Sequence, residues 1–210
     1  MSRIGIMGGT FNPIHKGHIQ IAQSAYEQYN LDTVWFMPNH IPAYKATDHL
    51  VSEIDRLAMV ELAIREIPYF CSSDYELQRE GNTYTWETLK GLKEEYPDND
   101  FYFIMGADSL MYFDKWVHPE RIVSMAHILV AARDHSSDEQ LQAKIMQLEQ
   151  LYSCDVFHIL RCEEIDCSSS KLRQELAAVD TENLSGYVQS YLDQAVLRYI
   201  RDKRLYRKWL

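Results

Sequence analysis

The sequence predicts an α/β fold, an open and mostly parallel sheet with helices on both faces. Three observations carry that expectation. Short apolar runs, among them Ile4–Met7, Thr33–Met37 and Phe101–Met105, alternate with longer segments whose apolar residues recur at helical spacing. Phe101–Met105 is unbroken apolar and aromatic sequence between Asp100 and Gly106, the pattern of a strand buried on both faces. The junction between the first run and the first helical segment is rich in glycine: Gly8-Gly9-Thr10-Phe11-Asn12-Pro13-Ile14-His15-Lys16-Gly17-His18. That is strand, tight turn, helix.

Taken in order, Ile4–Met7 reads as a buried strand and Lys16–Tyr29 as a helix with Ile19, Ala22, Ala25, Tyr26 and Tyr29 on one face. Thr33–Met37 is a second buried strand, and a right-handed crossover makes the first two strands parallel neighbours. Pro38–Leu50 reads as an irregular loop. Ser52-x-x-Asp55 has the form of a capping box opening a helix to Ile67, with Ile54, Leu57, Val60 and Ile64 inward. Tyr69–Ser72 is a third strand, Ser73–Gln78 an extended stretch and Arg79–Asn82 a polar turn. Thr83–Tyr96 is a helix ended by Pro97 and the turn cluster Asp98-Asn99-Asp100. Beyond the central strand come short helical turns around Ser109–Phe113 and Pro119–Met125, a strand at His127–Ala131, and a surface helix at Asp138–Leu151 with Leu141, Ile145, Leu148 and Leu151 inward. Val156–Leu160 is the last strand. Ser169–Ala178 is a helix capped by Ser168 or Ser169, and Val188–Arg201 carries one continuous stripe of Val188, Tyr191, Leu192, Ala195, Val196, Tyr199 and Ile200. With no internal repeat or low-complexity stretch, the expectation is a single domain over 1–210 whose part 165–210 is helical and packs on the sheet. In such sheets ligands bind beyond the carboxyl ends of the strands, where strand order reverses. Gly8, Pro38, Gly106 and Ala132 all fall at such ends.

Composition narrows the class. The chain has 210 residues, 46% hydrophobic and 25% charged, enough to bury a real core. No run approaches the roughly 18 apolar residues of a membrane span, and the chain enters its first strand without an apolar leader, so a cytoplasmic protein is expected. Cys71, Cys154, Cys162 and Cys167 form no CxxC pair, and Cys162-x4-Cys167 lacks the second close pair of a zinc site. A net charge of −10 argues against non-specific nucleic-acid binding. An acidic protein that handles polyphosphates needs a locally positive site, for which a divalent cation is the usual help.

Gly8–His18 has the chemistry of a phosphate site. A strand-to-helix turn puts backbone N–H groups and the positive end of a helix in one place. His15 and His18, three apart, share a face of the first turn. The spacing excludes a P-loop, since Gly17 is followed by His18, and also the Gly-x-Gly-x-x-Gly dinucleotide fingerprint. Gly106-Ala107-Asp108-Ser109 follows the central strand; Asp108 either accepts from a ribose hydroxyl or caps a helix. Trp116 is core or a stacking surface, and its polar neighbours Asp114, Lys115 and His118 favour stacking. Ser168-Ser169-Ser170-Lys171-Leu172-Arg173 offers hydroxyl and N–H donors with two cations, Arg173 being able to hold two phosphate oxygens at once. A metal hydrolase built on His15 and His18 would need further ligands, and His40, His49, His118, His127, His135 and His158 show no such pattern, so no protein-held metal is expected.

Gly8–His18 resembles the GGTF-(D/N)-P-x-H-x-G-H signature of the HxGH nucleotidyltransferases, and Ser168–Arg173 resembles the (I)SS-(T/S)-x-(I/L)-R element of that superfamily. Asn39–Lys45, Gly81–Leu89, Ile104–Ser109, Trp116, Ala132-Arg133 and Tyr199–Tyr206 extend the likeness along nearly the whole chain, toward the bacterial nicotinate-nucleotide adenylyltransferases. The resemblance implies a Rossmann-like sheet and adenylyl transfer from ATP to nicotinate mononucleotide, giving deamido-NAD and pyrophosphate in NAD biosynthesis. The route implied is in-line attack without a covalent intermediate, with Mg²⁺ accompanying ATP. Carried over by position, Gly8, Gly9, Thr10, Phe11, His15, His18, Gly106, Asp108, Arg133, Ser168, Ser169 and Arg173 belong to the ATP side, with His15, His18 and Arg173 catalytic. Asn39, Lys45, Thr83, Thr85 and Trp116 belong to the acceptor side. Three positions depart from the family: Pro42-Ala43-Tyr44-Lys45 where Pro-Pro-His-Lys is usual, Ser170 for Thr, and Cys167 for Ile. The residues alone do not separate nicotinate from nicotinamide, and the resemblance favours nicotinate. A module that binds nucleotide without catalysis is the competing reading. Oligomeric state is open, a homo-oligomer included.

Overall fold

In the computed structural model, which describes residues 1–42, 50–79, 81–132, 138–163, 165–178 and 185–207, the strands are β1 (Arg3–Gly9), β2 (Thr33–Pro38), β3 (Ile41–Pro42), β4 (Phe70–Ser72), β5 (Asn82–Thr83), β6 (Asp100–Gly106), β7 (Ala126–Ala132) and β8 (Phe157–Arg161). The helices are α1 (Lys16–Gln28), α2 (Glu53–Ile64), α3 (Thr85–Glu95), α4 (Ala107–Leu110), α5 (Pro119–Val123), α6 (Asp138–Tyr152), α7 (Ser169–Ala178), α8 (Gly186–Tyr191) and α9 (Gln194–Asp202). Six strands form one parallel sheet in the order β4-β2-β1-β6-β7-β8, and β3 pairs with β5 apart from it. The chain winds outward from β1 to β4 on one side and from β6 to β8 on the other. The reversal of order lies between β1 and β6, paired from Arg3↔Asp100 to Met7↔Ile104, and opens a crevice beyond their carboxyl ends.

Period-two alternation supplies both faces of the core. Along β6, Phe101, Phe103 and Met105 join one cluster and Tyr102 and Ile104 the other; along β7, Ile128 and Val130 oppose Leu129 and Ala131. Helices α1, α2, α7, α8 and α9 cover one face, and α3 to α6 the other. None of the described helices is long and apolar enough to cross a membrane.

Several expectations are corrected. Helix α2 stops at Ile64 and is rotated: Ile54 is 75% exposed, while Arg56, Met59, Val60 and Ile64 face inward. Polar groups under the helix hold Arg56 in place, and that sets the phase. Ser52 does cap α2, its Oγ accepting from Asp55 N–H. Helix α3 starts at Thr85, because Asn82 and Thr83 pair with Ile41 and Pro42, so Pro38–Leu50 is not wholly irregular. Ser73–Gln78 is turned, with Leu77 and Gln78 N–H groups donating to Asp74 O. Leu151 is 59% exposed at the last turn of α6, although Leu141, Ile145 and Leu148 are buried. Val188–Arg201 is two helices, broken where Leu192 turns extended and Asp193 caps α9 by accepting from Ala195 N–H at 2.7 Å.

Candidate active site

The loop after β1 is built around the Phe11 ring. Phe11 has φ 48° and is buried, and a Cβ on Gly9 would stand 3.1 Å from its ring. A larger residue at position 9 would therefore push the ring out. Asn12-Pro13 is a cis peptide, and Asn12, Ile14 and His15 are buried. His15 is the N-cap of α1, and His15 and His18 form a reciprocal capping box. His15 N–H donates to His18 Nδ1 at 3.2 Å. Because Nδ1 accepts, the neutral His18 ring carries its proton on Nε2. The two rings lie 3.8 Å apart between centroids, and Phe11 meets His18 edge-on at 5.2 Å. Gly17 makes room for this: a Cβ there would come within 3.1 Å of the His15 ring.

Helix α7 closes on the same loop. Ser168 is the cap, its Oγ accepting from Lys171 N–H at 3.2 Å. Ser169 Oγ donates to Pro13 O at 3.0 Å, and Arg173 Nη1 donates to Asn12 O at 2.9 Å. The two clusters singled out in the sequence, some 160 residues apart, are thus one assembly.

Arg56, which supports these loops, was not singled out in the sequence, and Tyr199 and Tyr206 entered only as part of the C-terminal likeness. Arg56, 1% exposed, donates to Thr10 O at 2.9 Å, Asn39 Oδ1 at 3.4 Å and His40 O at 3.1 Å. Burial lowers its pKa, against Glu53 and Tyr206, which act the other way. Tyr206 OH donates to Asn12 Oδ1 at 2.9 Å, and burial raises its pKa well above the ordinary phenol value. Tyr199 OH donates to Asp55 Oδ1 at 2.8 Å and is pushed up to about 12 by burial and by that carboxylate. The available signal for Arg56 was its place in a stripe with Met59, Val60 and Ile64.

Across the crevice, α4 opens directly at Gly106, where a Cβ would meet nothing within 4 Å. Asp108 is exposed in the first turn and makes no hydrogen bond or ion pair among the described residues, so it is not a cap. Trp116 is half-buried, edge-on to Phe103 at 6.1 Å and tilted on Phe113 at 5.4 Å. Phe103 also stands beneath Gly8, 3.4 Å from where a Cβ would lie, and so links Trp116 to the end of β1.

The acceptor-side candidates converge from two segments. Asn39 N–H donates to Gly9 O at 3.0 Å, and His40 N–H donates to Thr83 Oγ1 at 3.2 Å. Thr85 begins α3. Beneath that helix Glu76, 7% exposed, accepts from Thr88 Oγ1 at 2.7 Å, and burial raises its pKa to about 7. Lys45, Tyr44 and Arg133 lie outside the described residues. Among the described residues no group of three or more His, Cys, Asp or Glu is placed to hold a metal ion.

The chain is similar to known proteins in sequence and fold. Residues 6–175 match the cytidylyltransferase-like family model. A probable nicotinate-nucleotide adenylyltransferase of Lachnoclostridium phytofermentans is 44% identical over 200 residues, covering 95% of this chain and 96% of that one. One from Synechococcus sp. is 38% identical over 204 residues, covering 97% and 94%. The fold resembles that of Plasmodium falciparum nicotinic acid mononucleotide adenylyltransferase complexed with NaAD, with TM-score 0.79, 23% identity and 98% of each chain covered. On its match to the family model and its identity to these relatives over nearly their full length, the chain belongs to the cytidylyltransferase-like family and, within it, to the nicotinate-nucleotide adenylyltransferases.

Proposed function

We propose that the crevice at the β1/β6 switch point carries out the reaction of this family, transfer of the adenylyl group of ATP to nicotinate mononucleotide with release of pyrophosphate. The observation that carries the assignment to these residues is the convergence on one loop. His18 accepts from His15 N–H through Nδ1, which places the proton of its neutral ring on Nε2, while Ser169 and Arg173 donate to the carbonyls of Pro13 and Asn12. The acceptor's 5′-phosphate is an anion at neutral pH, so no general base is needed. It attacks the α-phosphorus in line and pyrophosphate leaves, which makes catalysis a matter of positioning and charge stabilisation.

In this reading Gly8, Gly9, Thr10 and Phe11 shape the backbone cradle for the triphosphate. His15 and His18 donate to its oxygens. Arg173, with one Nη on Asn12 O, keeps its other N–H groups for phosphate, and Ser168 and Ser169 edge the same site. Gly106 and Asp108 take the adenosine ribose, with Arg133 on the same side. Asn39, Lys45, Thr83, Thr85 and Trp116 receive the pyridine nucleotide. Mg²⁺ would come with ATP and screen the charge of its phosphates.

The test is a pyrophosphate-release assay with ATP and either nicotinate or nicotinamide mononucleotide, with and without Mg²⁺. Release with the nicotinate acceptor is expected. ATP binding without release on either acceptor would leave a nucleotide-binding module instead.

A further inference from the structure

We propose that Arg56 is a positioning residue that fixes the acceptor loop against the ATP loop and orients the Asn39 carboxamide toward the acceptor; this rests on the assignment of the two loops above. The guanidinium is fully buried and reaches three oxygens on two loops: Thr10 O after β1, and Asn39 Oδ1 and His40 O after β2. A guanidinium only donates, so Asn39 must present its oxygen to Arg56, which leaves the Nδ2 hydrogens as donors on the other side. Asn39 is half-buried at the crevice, so those hydrogens are available to the phosphate, hydroxyl or carbonyl oxygens of an acceptor nucleotide.

The two loops do not depend on Arg56 equally. The ATP loop has three further long-range anchors: Ser169 on Pro13 O, Arg173 on Asn12 O and Tyr206 on Asn12 Oδ1. Among the described residues the acceptor loop is otherwise held by Asn39 N–H on Gly9 O, His40 N–H on Thr83 Oγ1, the His40–Glu53 contact at 2.7 Å and the pairing of Ile41 and Pro42 with Asn82 and Thr83. Glu53 sits on the same helix as Arg56, so α2 carries two of the acceptor loop's supports. Loss of the planar fork therefore loosens the acceptor loop first. An ammonium at this position keeps the charge but cannot hold two carbonyls and an amide in one plane.

The experiment is a double-mutant cycle of Arg56→Lys and Asn39→Ala, read as KM for each substrate and kcat, with hydrogen exchange of the free proteins beside it. Arg56→Lys should raise KM for the pyridine mononucleotide about tenfold and lower kcat, while KM for ATP moves by less than about threefold. In the Asn39→Ala background the same change should add little, since its route is already gone. The amides of Asn39 and His40 should lose protection in Arg56→Lys while those of Ile14 to His18 keep theirs. Multiplicative effects in the cycle, or equal loosening of both loops, would overturn the proposal. Should Arg56→Lys fail to fold, Arg56→Gln, which still donates to one carbonyl, takes its place. An inactive wild-type enzyme would refute the assigned reaction instead, and the exchange data would still decide the role of Arg56.

Discussion

Two pairs of histidines sit at opposite ends of the same parallel sheet. The rings of His15 and His18 lie tilted, 3.8 Å apart between centroids, at the carboxyl end, on the loop leaving β1. His127 and His158, near the starts of β7 and β8, share an Nδ1···Nε2 hydrogen bond of 3.1 Å and stack at 5.3 Å. Both pairs are close ring contacts, and they differ in how the rings are bonded and in what surrounds them. His18 accepts from His15 N–H through Nδ1 in the loop beyond β1, whereas His127 and His158 hydrogen-bond each other under Tyr102 and Tyr29. In a parallel sheet the strand direction decides which pair can be catalytic, because only the carboxyl end has loops whose backbone faces a common crevice.

The sharpest way to break this comparison is to remove one histidine from each end. His18→Ala should lower kcat by about 10²–10³, the scale of one preorganised donor to a developing charge, with the fold retained. Near-normal pyrophosphate release in that variant would deny the loop its role.

Glu76 tests the site's end of the sheet by titration. A carboxyl whose folded pKa is raised to about 7 contributes fully below the unfolded value and loses that contribution as pH rises through 7. Glu76→Gln should therefore be more stable than wild type at pH 8, by at most about 3 kcal/mol, and nearly equal to it at pH 5. Thermal melts at the two pH values decide it, and equal gains at both would show that the carboxyl is not neutral in the fold.

Tyr206→Phe removes the hydroxyl from Asn12 Oδ1, which then keeps Val51 N–H at 3.4 Å. A loss of about 1–2 kcal/mol in urea unfolding, with turnover reduced several-fold, is expected.

The smallest effect belongs to the far pair. Burial lowers the pKa of both His127 and His158; His158 and the cations Arg3 and Lys93 also lower His127, while Asp100 raises it, and Asp155 raises His158. Their contribution is present above the unfolded value near 6.5 and fades as pH falls below it. His127→Phe should flatten the decline in stability between about pH 6.5 and 5, by about 1 kcal/mol or less for a half-buried pair, and leave kcat unchanged. Glu76 and this pair pull in opposite directions over that window, so the wild-type profile is flatter than either contribution. A drop in kcat with His127→Phe would erase the distinction between the two ends.

The six strands of the main sheet were legible because each is an apolar run closed by glycine or a polar turn, as Phe101–Met105 is by Asp100 and Gly106, whereas the two-residue pair β3 and β5 lacks such a run and was missed. The turn from Gly8 to His18 was legible as strand, tight turn and helix, because its glycines and histidines at fixed spacing have few other uses. Arg56 was not. A charged residue in an apolar stripe reads as a break in the stripe, and its three oxygen partners come from loops that local sequence does not bring together. The same blindness put Ile54 inside and Leu151 in the core, where periodicity continued past the end of the packing surface. The break at Asp193 was missed because the apolar stripe runs straight across it.

The hydrogen bond from Tyr206 to Asn12 spans 194 residues. At about 5–20 residues per second, a ribosome needs roughly 10–40 s to reach Tyr206 after making Asn12. The loop that holds Asn12 is thus made well before the residue that completes its support. A nascent chain can assemble its sheet while still unable to complete the support beneath that loop.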